Sequence, residues 1–226
     1  MNSASIHNIR KEYLRRFLTL MLGFIVIPVG ISLTINANIG YSPWEILHSG
    51  ISKVSGMGIG RASIVAGLLI GCTVWIRGEK FGIGTILNMV VIGTLVDLYL
   101  SSGLIPLATD LFQGIVMLLV GLFIISIGVY LYLSPGFGAG PRDSLMAMLT
   151  RMIPLPIGVI RSAMEFTAAF IGWLMGGMVG IGSIISVVAI GFFFQQTFRF
   201  FKFKPEEVEH ETLQETLATL RRLLRE

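Results

Sequence analysis

Two carboxylates stand at matched places in an otherwise apolar chain: Glu45 within NANIGYSPWEIL, residues 36–47, and Asp143 within SPGFGAGPRDSL, residues 134–145. Each follows a glycine-rich turn and a proline, Pro43 or Pro141, in the order that starts a helix. Ser42-Pro43-Trp44-Glu45 reads as a capping box with Ser42 as N-cap, and Gly140-Pro141-Arg142-Asp143 repeats it with glycine as the cap. Two chemistries are open to these acids. They can accept the free N–H groups of their own helix start, or they can hold a cation or exchange a proton at membrane depth. The helix starts favour an anion, while glycine lets a ligand or a second backbone come close. Gly40, Ser42, Pro43, Glu45, Gly138, Gly140, Pro141 and Asp143 are therefore candidate pathway or binding residues. Glu165 joins them, one turn beyond Arg161, either as a proton-coupling carboxylate or as half of an i to i+4 pair near the surface.

Enzyme chemistry has no comparable support. His7, His48 and His210 lie in different segments, so the sequence offers no metal site. There is no GxxxxGK[ST] phosphate loop, and GFGAGP lacks the strand-turn-helix setting of a dinucleotide fingerprint. We expect no catalytic residues, no cofactor and no metal. The chain is basic, with net charge +4, yet its basic residues are not interleaved with aromatics in one patch, so a nucleic-acid partner is not expected.

The elements that must hold these residues are membrane spans. The 226 residues are 54% hydrophobic and 13% charged, about half the charged share of a soluble domain. Uncharged apolar stretches run over 17–35, 62–76, 81–96, 111–141 and 166–198. A hydrocarbon core about 30 Å thick needs roughly 20 helical residues, so the last stretch must fold back at Gly176-Gly177 and Gly180 to Gly182. Six spans result. All 17 lysines and arginines except Lys53 and Arg61 then fall on one side, which the positive-inside rule makes the cytoplasm, with both termini inside. Arg142 and Arg151 read as part of that orientation charge. Cys72 lies mid-span as a small packing residue, and Trp75, Trp173 and Tyr130 or Tyr132 read as an interfacial aromatic belt.

Shifting the sequence by 98 residues aligns 17–98 with 115–196 without a gap, pairing Gly40 with Gly138, Pro43 with Pro141, Trp75 with Trp173 and FGIGTI at 81 with VGIGSI at 179. Each half has three spans, so the second enters from the opposite side: two inverted repeats, each with a glycine-proline break and a short helix, about 43–53 and 141–152, after its first span. Asn88 and Ser186 occupy equivalent places in the third and sixth spans, where they read as interhelix hydrogen-bonding groups rather than ligands. The resulting map is a cytoplasmic segment 1–16, repeat one over 17–98, an extracytoplasmic connection 99–114, repeat two over 115–200, and a cytoplasmic amphipathic helix within 201–226. In that last segment the acids crowd the first turns, the arginines the last, and Leu213, Leu217, Leu220 and Leu224 share a face.

IGYSPWEILHSGIS, GFGAGPRDSL and the GxGT turn before the third span resemble the YczE/YyaS/YitT group of bacterial integral membrane proteins, closest to its YczE branch, over residues 10–200. That resemblance implies a multi-pass protein of the bacterial cytoplasmic membrane. It supplies no ligand residues to carry over.

Inverted repeats broken at matched places point to a secondary transporter or permease of a small molecule, embedded in the bilayer. The alternative is a scaffold or regulator that binds a protein partner, or a second copy, through residues 205–226. Removing that segment separates the two, since a scaffold loses its partner and a permease keeps transport.

Overall fold

A computed structural model describes residues 3–79 and 81–225. Lys80, counted above among the orientation charges, lies outside them, as do the side chains of His7, Leu224 and Arg225. The described chain is helical throughout, without strands. The order is α1 (Ser3–Asn36), α2 (Pro43–Ser55), α3 (Ile59–Ile76), α4 (Ile83–Ser102), α5 (Leu111–Leu133), α6 (Pro141–Met152), α7 (Ile157–Leu174), α8 (Ile181–Phe200) and α9 (Leu213–Arg225). Six of these, α1, α3, α4, α5, α7 and α8, are long and apolar enough to cross a membrane. The two short helices that follow the breaks, α2 and α6, are not among them.

Helices α1 and α5 form the central pair. Small residues let their backbones approach, as expected where lipid supplies no hydrophobic drive between helices. A Cβ on Gly30 would sit 2.7 Å from the Gly121 carbonyl oxygen, and one on Gly128 would sit 2.6 Å from Ile27. Leu20, Phe24, Leu118 and Leu122 are buried around this seam. The outer surface is apolar instead of charged, with Leu18, Leu22, Leu69, Phe166 and Val188 exposed, the inversion a bilayer solvent requires. Cys72 is exposed on this outer face and so is not the interhelix packing residue expected. Trp75 and Trp173 are exposed, as belt residues would be, whereas Tyr132 is buried.

The irregular backbone of each break has its polar groups satisfied by other elements. In the second break the Phe137 carbonyl accepts from Gly84 N–H at 2.8 Å, and the Ala139 carbonyl accepts from Thr85 Oγ1 at 2.6 Å. In the first, the Ile39 carbonyl accepts from Gly182 N–H at 2.8 Å. Ile39 and Gly84 each stand 98 residues before Phe137 and Gly182, so these two bonds are mates under the offset that aligns the halves. Glycine contacts reciprocate likewise: Gly40 lies against Gly180, and Gly138 against Gly82.

The carboxyl-terminal segment is tied to one end of the bundle. Glu211 N–H donates to the Gly136 carbonyl at 2.7 Å, and Leu213 N–H to that of Phe81 at 2.8 Å. The Glu211 carboxylate pairs with Arg16 at 2.7 Å and accepts from Tyr13 Oη at 3.1 Å, while Arg16 also donates to the Pro135 carbonyl. Leu220 of α9 packs on the cluster of Tyr13, Leu20 and Phe137, and Thr216 is buried. Burial lowers the His210 pKa from its ordinary 6.5, with the Asp143 charge opposing. The unfolded segment therefore binds a proton more readily, and docking weakens as pH falls below about 6.5. Glu211→Ala, which removes the ion pair and the Tyr13 bond together, is expected to speed hydrogen exchange at the Glu211 and Leu213 amides by about tenfold or more. Unchanged exchange after correction for intrinsic rates would mean that the carboxylate does not hold the segment.

Candidate functional site

The sequence explains why both breaks feed one place. Helices α2 and α6 each begin at a proline that cannot donate a hydrogen bond, after an N-cap residue, Ser42 or Gly140, in extended conformation. Their first turns meet in a cavity of about 390 Å³ that is also lined by residues of every spanning helix. Ser42, Pro43, Glu45, Gly140, Pro141, Asp143 and Glu165 all line it. Gly40 and Gly138 do not. They make the close backbone contacts behind it, with φ of +117° and +115° that an L side chain rarely adopts.

The cap bond inferred for Ser42 does not form, since its side chain makes no bond at the helix start, and glycine at 140 has no side chain to make one. Glu45 turns into the cavity. It is 6% exposed, and apart from its own backbone N–H its carboxylate has no hydrogen-bond or ion-pair partner among the described residues. It does feel the positive charge of Arg142. Asp143 takes a different setting. Its carboxylate accepts from Tyr132 Oη at 3.1 Å, and that hydroxyl in turn accepts from the Gly140 N–H, satisfying the free donor at the start of α6. The Tyr132 ring stacks on Phe24, 5.9 Å between centroids, which fixes the hydroxyl.

Arg142 is not a mere orientation charge. Its guanidinium lies over the Trp44 ring, 4.5 Å from the centroid, and reaches His48 Nε2 at 3.3 Å. Arginine can only donate, so Nε2 is the accepting nitrogen of a neutral His48. Trp44 and Arg142 are mates under the 98-residue offset, as are Glu45 and Asp143. Glu165 ion-pairs with Arg161 at 3.1 Å, and both line the cavity wall.

Three features escape sequence reasoning. His48 is buried beside Glu45 one turn along α2, and its distance from His7 and His210 in sequence hides this. A π-helical turn over Asn88–Ile92 rolls Asn88, Met89 and Ile92 to the cavity. Asn88 thus lines the cavity, and Ser186, also lining it, bonds only the Gly182 carbonyl of its own helix at 2.7 Å, so neither residue bridges helices as expected. Asp97, by contrast, keeps to the helix ends: its carboxylate accepts from the Gly60 and Arg61 N–H groups at the start of α3. Among the described residues no group of three or more His, Cys, Asp or Glu could hold a metal ion.

Six apolar spans around a mostly apolar cavity with a few charged groups in its wall define a polytopic helical membrane protein. The chain belongs to a family whose model, described as a family of unknown function (DUF6198), matches residues 14–199. That region contains both breaks and nearly the whole cavity wall. The uncharacterized membrane protein YczE of Bacillus subtilis (strain 168) is 34% identical over 184 residues, 80% of this chain and 85% of that protein. An uncharacterized protein of Haemophilus influenzae is 32% identical over 176 residues, covering 76% and 78%. YyaS of Bacillus subtilis is 25% identical over 169 residues, covering 74% and 84%. No solved structure matches.

Proposed function

We propose that this protein is a secondary transporter that carries a small molecule across the bacterial cytoplasmic membrane. The carrying observation is the shared cavity: two broken segments, far apart in sequence, bring an unpartnered carboxylate, Glu45, and a hydrogen-bonded one, Asp143, to its wall. Polar groups at such depth are costly unless they serve a pathway or a ligand. The reciprocal bonds Ile39 to Gly182 and Phe137 to Gly84 support two inverted repeats closing on each other, the arrangement in which one half rocks against the other around a fixed site. The distribution of lysine and arginine supports cytoplasmic termini.

A scaffold that works through α9 finds less support, because Thr216 and Leu220 already turn toward the bundle. Glu45 and Asp143 are the groups available for proton coupling, with Glu165 more closely engaged by Arg161.

The test is reconstitution of the full chain into proteoliposomes exposed to an isotope-labelled bacterial small-molecule extract, with and without an imposed proton gradient. At least one compound should accumulate inside by about tenfold or more over protein-free vesicles. If no compound moves in either direction under any gradient, the protein is not a transporter.

A further inference from the structure

Among the charged side chains that line the cavity, Glu45 and Arg142 have opposite sign and form no ion pair with each other. Glu45 and Arg142 feel each other's field but are too far apart for an ion pair, and both line the same space. A buried carboxylate without a partner is stable only if something else supplies the missing donors. Arg142 is in the complementary position. Stacking on Trp44 engages the face of its guanidinium and one nitrogen reaches His48, which leaves in-plane N–H donors for a second partner. A planar carboxylate matches that fork.

The remaining wall is apolar, with Ile27, Ile31, Leu122, Ile125, Val129 and Met146. At about 390 Å³ the space lies at the small end of the range for ligand pockets, about 300–1,000 Å³. From these features we infer that the site binds a small zwitterion with an apolar body, the chemical class of an α-amino acid, its ammonium group at Glu45 and its carboxylate at Arg142. The charges of the ligand then complete both half-made pairs and leave the net charge of the cavity unchanged. A purely cationic ligand would leave the Arg142 donors unmatched beside a second positive charge. A purely anionic one would leave Glu45 bare beside a second negative charge. Asp143 and Glu165 also act on the field at Arg142, and Glu165 on that at Glu45, but Asp143 is engaged by Tyr132 and Glu165 by Arg161, which leaves Glu45 the carboxylate most open to a ligand.

The inference deepens the transporter reading by naming its substrate class, and its test is equilibrium binding, so the two can fail separately. The probes are leucine, isocaproate, which lacks the amine, and isoamylamine, which lacks the carboxylate. They are titrated against the purified full chain in lipid nanodiscs by calorimetry. Leucine should bind about tenfold or more tighter than either analogue. Glu45→Gln should weaken leucine by at least about tenfold while strengthening isocaproate, which no longer meets a second negative charge, and Arg142→Gln should weaken leucine while strengthening isoamylamine, which no longer meets a second positive one. The analogue that still binds in each case also reports that the variant is folded. The inference is overturned if either analogue binds as tightly as leucine, if none of the three binds, or if a variant affects all three alike. Should leucine bind as expected while no compound crosses the vesicle membrane, the site assignment stands and transport falls.

Discussion

Glu45→Gln is expected to abolish uptake, by about 100-fold or more, and at the same time to raise the melting temperature of the purified protein. The two effects have one cause. The Glu45 carboxylate is 6% exposed and has no partner beyond its own backbone N–H, so the folded state bears the cost of a buried carboxylate that only the more distant charge of Arg142 offsets. A neutral amide of the same shape relieves it. Relief of roughly 1 kcal/mol corresponds to about 2–4 °C for a chain of this size. A helix cap would show neither effect, because glutamine keeps a carbonyl that accepts the helix-start N–H and transport would stay intact. Asp143→Asn provides the contrast. Asp143 takes part in the chain from Tyr132 to the Gly140 N–H, so its replacement is expected to lower stability as well as uptake. A Glu45→Gln protein that melts no later than the parent and still transports would return Glu45 to the role of a cap.

Glu45 also shows where sequence reasoning stops. The pattern Ser-Pro-x-Glu announces a helix start, and α2 does start at Pro43. Which way the third residue turns depends on what lies beyond the helix, and here that is a cavity built from α6 and the spans. The same limit hides Arg142. As one more basic residue near a span end it suits the positive-inside count, and only the arrival of Trp44 from the other half gives its guanidinium a surface to stack on. Tyr132 near a span end looks like a belt residue until the second break folds back over it and supplies the Gly140 N–H. The spans, the breaks and the short helices were legible because hydropathy, glycine and proline act locally. Contacts between the two halves were legible only as a sequence echo, since the offset pairs Gly40 with Gly138 but does not say that each would meet Gly180 or Gly82.

Those glycine contacts carry the second large effect. Gly40→Ala and Gly138→Ala should each destabilise the protein by about 2–6 kcal/mol, the sum of backbone strain and overpacking. The φ values of +117° and +115° are poorly suited to any side chain. A new Cβ at Gly40 would lie 2.6 Å from the Gly180 nitrogen, and one at Gly138 would lie 2.7 Å from the Gly82 Cα, both backbone atoms that cannot rotate away. Gly56 isolates the backbone component, since its φ is +73° and nothing lies within 4 Å of an added Cβ. Gly56→Ala should therefore cost only about 1–2 kcal/mol. Gly191, helical and facing open space, isolates propensity, and Gly191→Ala should be neutral or stabilising by up to about 1 kcal/mol. Thermal unfolding of the four variants in one detergent reads the series directly. If Gly40→Ala and Gly138→Ala fall no further than Gly56→Ala, the turns do not interlock as tightly as drawn. A graded loss would instead identify both turns as close backbone hinges, each tied to the opposite half by the bond from Gly182 to Ile39 or from Gly84 to Phe137. Movement of one half would then carry the other half's short helix with it, and so shift Glu45 relative to Asp143 across the cavity they share.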